Sequence, residues 1–217
     1  MTLDLSRNTV PAFITPVVNY LWQDSEQLNA ELAELILAAE ANEAGLYKSN
    51  VGGWHSAMDF LSRPEAPLVA LRERFESFTA ALLQQFVQPD TAPPGCRLEG
   101  WANVLRHGGY NSVHCHPNAD WSIVYFVTGN PPVADHPFSG KLELLDPRPG
   151  AGLVYTENSS LYGRFLVNPH PGQMLAFPAW LQHQVHTCFG QAPRISVAIN
   201  VNASSVAGIQ ASENRTS

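Results

Sequence analysis

The chain has 217 residues, 45% hydrophobic and 14% charged, with a formal net charge of −7. That length fits one large domain, and the composition is that of a folded chain with a substantial core. Low charge with no basic stripe argues against a disordered protein or a nucleic-acid binder.

The N-terminal residues Met1 to Arg7 lack a basic segment followed by an apolar one, and no apolar run is long enough to cross a bilayer. Cys96, Cys115 and Cys188 are an odd count without C-x-x-C spacing, which argues against a disulfide framework or a zinc knuckle. A cytoplasmic setting without membrane contact is the expectation.

The first element is a helix. Asp24 offers a cap with Gln27 as its partner, Leu28, Leu32, Leu35, Ile36 and Ala39 recur at helical spacing, and Gly45 supplies a stop. A second helix starts near Pro64 to Pro67, with Leu68, Leu71, Phe75, Phe78, Leu82 and Phe86 as its stripe and Pro89 past its end. Both stripes need a surface to cover, either a sheet of the same chain or a homodimer face. From Cys96 onward helical periodicity stops. Strands are expected near 97–105, 112–116, 121–128, 141–145, 152–155, 164–167, 173–177, 183–188 and 194–201. Gly52-Gly53 and Gly108-Gly109 read as turns or hinges, and the Pro-rich loop Gly129 to Ser139 as a substrate lid. The whole, 1–217, reads as one α+β, mainly β domain: a helical front (1–95), a β core (96–202) closed as a sandwich or barrel, and a polar tail (203–217).

Chemistry concentrates in the β core. His114 and His116 lie two apart and so face the same side of an extended strand, while Cys115 faces away. His183 follows the strand-like Met174 to Phe177 and can bring a third imidazole to the same ion. Asp120, four residues past His116, is the alternative third ligand if its loop folds back. His186 should face the other way, His136 and His170 sit in loops, and His55 and His107 could lie near a site mouth. Arg194 and Ser196 share one face of a strand whose other face carries Ile195, Val197 and Ile199. An inward Arg requires an anion, whether a ligand carboxylate or a neighbouring Asp or Glu. Asn200 continues the same inward row.

These segments resemble the iron(II)/2-oxoglutarate-dependent dioxygenases. The resemblance rests on His114-x-His116, on Trp121 to Val127, on Gly140-Lys141-Leu142-Glu143-Leu144, on Gly172 to Pro178 followed by His183, and on Arg194-x-Ser196. Ser49-Asn50-Val51-Gly52-Gly53-Trp54-His55-Ser56, His114-Cys115-His116-Pro117 and Asp146-Pro147-Arg148 are similar to a bacterial and phage group of oxygenases with an H-x-H-P motif. The resemblance implies a double-stranded β-helix (a jelly roll, or cupin-like fold) with the N-terminal helices packed on one sheet. It implies iron(II) on His114, His116 and His183, with 2-oxoglutarate and dioxygen as co-substrates. Arg194, assisted by Ser196, would hold the outer carboxylate of 2-oxoglutarate, and Tyr125 or Asn103 could reach it too. The family usually has a carboxylate where this chain has His116, which keeps Asp120 open. The implied reaction is hydroxylation of a small molecule or a protein side chain. The rival readings are a cupin-like metal-dependent isomerase or hydrolase, and a jelly-roll binding protein without catalysis.

Overall fold

The computed structural model describes residues 12–86, 95–151 and 163–203. A short strand β1 (Val18–Leu21) leads into helix α1 (Glu26–Asn42); strand β2 (Asn50–His55) and a 3-10 turn precede helix α2 (Ala66–Phe86). Seven strands follow: β3 (Cys96–His114), β4 (Trp121–Phe126), β5 (Leu142–Leu145), β6 (Arg164–Val167), β7 (Gln173–Pro178), β8 (His183–Val185) and β9 (Arg194–Ala203). The strand expected at 152–155, Pro89 and the tail from Ser204 lie outside the described residues.

Hydrogen-bonded neighbours run β1-β7-β4-β9-β3-β8-β5-β6, with β2 also on β3. Strand β3 is the joint of this path. Its first half pairs with β9, from Cys96 with Ala203 to Leu105 with Arg194, and its end pairs with β8, from Asn111 with Val185 to His114 with His183. All pairs are antiparallel. The sheet curls on itself, so that Leu142, Leu144 and Val185 from β5 and β8 pack against Phe126, Leu175 and Phe177 from β4 and β7. This is the mainly β, jelly-roll architecture with two helices on one sheet.

The helices cover the outer face of the β1-β7-β4-β9-β3 sheet. Leu32 and Ile36 of α1 and Leu68, Leu71, Phe75 and Leu82 of α2 pack with Val104, Ile123, Tyr125, Ile195, Val197 and Ile199. Burial of each large side chain there contributes roughly 1.5–3 kcal/mol. The apolar stripes that could have formed a dimer face are thus used within the chain. Phe86 is an exception: it is about half exposed and rests on Trp121.

The boundaries differ from expectation where local chemistry competes. The N-cap of α1 is Ser25, not Asp24, and its hydroxyl donates back to the Trp22 carbonyl. Gln27 bonds Glu31 instead of closing a capping box, and the helix ends at Asn42, before Gly45. The two glycine pairs lie within strands β2 and β3 and not at turns. Gly52 and Gly108 have positive φ, and the β2–β3 pairing shifts register between Val51 and Gly53. A Cβ on Gly109 would lie 2.9 Å from the Gly52 carbonyl oxygen, so the glycines let two backbones approach at a bulge. Strand β3 therefore runs unbroken through Gly108-Gly109.

Candidate metal centre

His114 ends β3, and His183 begins β8 directly opposite it. His116 lies two residues beyond the strand end; its N–H donates to the Ala179 carbonyl at 2.9 Å, which keeps the chain extended and returns the imidazole to the same side. The ligand atoms of the three histidines all lie within 4.8 Å of one another.

Their tautomers follow from the backbone. His114 Nδ1 is 2.7 Å from the Ser112 carbonyl, and His183 Nδ1 is 2.9 Å from the Leu181 carbonyl. A carbonyl only accepts, so both Nδ1 atoms carry the proton and both Nε2 atoms turn a lone pair inward. The Nε2 atoms of His116 and His183 lie 3.2 Å apart. Two neutral lone pairs at that distance repel unless a cation or a proton stands between them, and imidazole lone pairs are the donors that iron(II) and zinc accept. Burial, with the nearby His114 charge, pushes His116 down to about 4 and His183 down to about 3, so both are neutral at pH 7. The three residues fit a divalent ion with open positions.

Asp120 does not join them. Its carboxylate accepts the Ala203 N–H at 2.8 Å, its N–H donates to the Val201 carbonyl, and its carbonyl accepts from Ala179. The loop is tied to the end of β9 rather than folded back, so Asp120 lies outside the group formed by His114, His116 and His183.

A cavity of about 460 Å3 adjoins the histidines, lined among others by Asn103, Arg194, Ser196, Leu142 and Phe177. Arg194 is 4% exposed. Its Nε donates to the Gly140 carbonyl at 2.9 Å, its Nη1 approaches the Ser196 hydroxyl at 3.4 Å, and its guanidinium lies over the Phe126 ring. Among the described residues no carboxylate pairs with it. Burial lowers its pKa to about 10, which still leaves it charged. A buried cation without an anion is costly, and the adjoining cavity supplies the place for one.

Other expectations sort by strand face. Tyr125 is corrected: it faces the helices, where its hydroxyl donates to Asn29 at 2.7 Å and accepts from Arg74, so it does not reach the cavity. His186 faces outward and bonds Glu143, as expected. No residue of the loop Gly129 to Ser139 lines the cavity; Lys48, Ser49, Met58 and the buried His55 line it instead. Sequence reading missed Trp101 and Ser122, both cavity-lining. Extending the inward row of Ser196, Ala198 and Asn200 across the sheet to β3 and β4 finds them, since Ala198 stands opposite Trp101 and Asn200 opposite Ser122.

Residues 99–200 match the family described as "Putative 2OG-Fe(II) oxygenase". No match is found among curated proteins. Among solved structures, a Pseudomonas putida prolyl-4-hydroxylase is similar with a TM-score of 0.63 at 13% identity, covering 87% of this chain and 93% of that one. The α-ketoglutarate-dependent epimerase SnoN from nogalamycin biosynthesis is similar at 0.62 and 12%, covering 86% and 76%. HygX from Streptomyces hygroscopicus, solved with nickel and 2-oxoglutarate bound, is similar at 0.60 and 11%, covering 88% and 84%. At these identities the likeness establishes the fold. Over residues 99–200, its β core, the chain is similar to the 2OG-Fe(II) oxygenases, a family of enzymes.

Proposed function

We propose that this protein is an iron(II)- and 2-oxoglutarate-dependent hydroxylase whose metal ligands are His114, His116 and His183. The observation that carries the reading is the convergence of three imidazoles beside a cavity in which a buried Arg194 has no acidic partner among the described residues. Bound iron(II) with 2-oxoglutarate supplies the activation of dioxygen coupled to decarboxylation, yielding succinate and an oxidised substrate.

The chain's own residues do the rest. The Ser112 and Leu181 carbonyls fix the tautomers of His114 and His183 and so keep Nε2 available to the metal. Arg194 offers a planar fork to the outer carboxylate of 2-oxoglutarate, the Ser196 hydroxyl adds a bond on the same face, and the Asn103 amide reaches the same cavity. Leu142, Val185 and Phe177 exclude water around that charge pair, which strengthens it. Three neutral imidazoles leave the metal's full positive charge uncancelled, which favours capture of a dianion. The substrate is a small molecule, or a side chain that fits a cavity of about 460 Å3.

The test is succinate release in air from iron-loaded protein, with and without 2-oxoglutarate. Succinate formed in proportion to 2-oxoglutarate, and lost in His183→Ala, is expected. A loaded protein that forms none would favour the isomerase or binding-protein reading.

A further inference from the structure

The cavity has two chemically different ends. Arg194 closes one. Along β9, Asn200 stands six residues away, roughly 20 Å at about 3.3 Å per residue. Trp101, Ser122 and Asn200 line the cavity farther along the sheet, and His55, level with Asn103 and Ser196 in the register, lines it from β2. His55 is 3% exposed, and its ring stacks on Trp101 at 5.4 Å with 10° between planes. Its Nδ1 lies 2.6 Å from the Ser56 carbonyl. The proton is therefore on Nδ1, and Nε2 holds a lone pair with no partner among the described residues. Asn200 Oδ1 is buried and also without a partner. Leaving a buried polar group unpaired costs about 1–3 kcal/mol, so the Asn200 oxygen marks a place where a ligand meets the wall, and His55 Nε2 is a second acceptor lining the same cavity. Among the described residues no Asp or Glu lines the cavity, and apart from the histidines its charged side chains there are Arg194 and the exposed Lys48.

We propose that His55 is a substrate-binding residue whose Nε2 accepts a hydrogen bond from an uncharged O–H or N–H of the substrate, with the Asn200 amide as a second anchor. The proposal rests on the reading of this cavity as an oxygenase site and narrows its substrate to a neutral, hydrogen-bond-donating molecule. A carboxylate would set its lone pairs against Nε2. An ether of the same shape would leave Nε2 unpaired. The Nδ1–Ser56 bond and the Trp101 stack hold the imidazole in one orientation, so the preference is built into the wall.

The experiment uses three probes of one ring size: cyclohexanol, cyclohexyl methyl ether and cyclohexanecarboxylate. Their binding is measured by ligand-observed NMR on protein loaded with zinc and 2-oxoglutarate. Cyclohexanol should bind about tenfold more tightly than the ether, the effect of roughly 1.4 kcal/mol for one satisfied acceptor, and the carboxylate should bind least. His55→Phe keeps a ring against Trp101 and should erase the alcohol preference, whereas His55→Gln, which keeps an acceptor, should restore part of it. Equal affinity for alcohol and ether, no detectable alcohol binding, or a preference unchanged in His55→Phe would overturn the proposal. Binding of 2-oxoglutarate is read separately by calorimetry in the same samples. Its absence would sink the oxygenase reading while the alcohol preference remained measurable with zinc alone.

Discussion

Strand β9 belongs to two different environments, and their contrast explains much of the molecule. On its outer face Ile195, Val197, Ile199 and Val201 join α1 and α2 in an apolar core. On its inner face Arg194, Ser196, Ala198 and Asn200 line a cavity, with a buried cation and an orphaned amide among them. Successive side chains point to opposite faces, so one strand both stabilises the fold and carries the chemistry. The outer row satisfies itself. The inner row is incomplete until a ligand arrives. Stability and function should therefore respond in opposite ways to changes one residue apart.

The sharpest break is at the metal. His183→Ala should abolish tight binding of one divalent ion, read by metal analysis after dialysis, while leaving the apo fold intact. A full complement of metal in that variant would contradict the ligand set. Next comes Phe75→Ala, on α2 against the outer row. It should cost about 3–5 kcal/mol in denaturant unfolding, through lost burial and a cavity. A cost below about 1 kcal/mol would show that the helices are not part of the same core. Arg194→Met inverts the sign. Removing an uncompensated buried cation should leave the stability of ligand-free protein unchanged or raise it by up to about 4 kcal/mol. The same change should weaken 2-oxoglutarate binding by roughly 10²–10³-fold, the cost of breaking a buried ion pair.

The smallest effect is on pH. His116 and His183 sit well below the ordinary histidine value because burial penalises their charged forms. Between about 6.5 and about 3 the unfolded chain then binds more protons than the folded one, so stability falls as pH falls through that window. Metal-stripped protein, unfolded by denaturant at a series of pH values, should show this slope. Removal of both imidazoles by substitution should flatten it.

Much of this contrast was legible in the sequence, and the failures follow one pattern. The alternation Arg194 to Asn200 was strict enough to assign both faces of β9. The spacing of His114 and His116 survives although β3 ends at His114, because the His116 N–H bond to Ala179 continues the extended geometry. Tyr125 was misplaced because its strand is apolar on both faces. Only Ser122 and Val124, set against β9, reveal which side is inward. Strand β1 has no alternation, and β2 is interrupted by Gly52-Gly53, so neither left a periodic trace; both exist because β7 and β3 present them with unpaired edges. His55 was ambiguous for the same reason. Its role depends on Trp101, a residue 46 positions away whose contact is set by tertiary packing.

The central claim is that the three histidines and Arg194 form one site for iron and 2-oxoglutarate. An anaerobic titration of iron(II)-loaded protein with 2-oxoglutarate, followed by visible absorption, tests it most directly. The account predicts a metal-to-ligand charge-transfer band that saturates at one equivalent and requires much higher 2-oxoglutarate in Arg194→Met. Iron-loaded protein that develops no band, or an Arg194→Met titration superimposable on that of the unaltered protein, would contradict it.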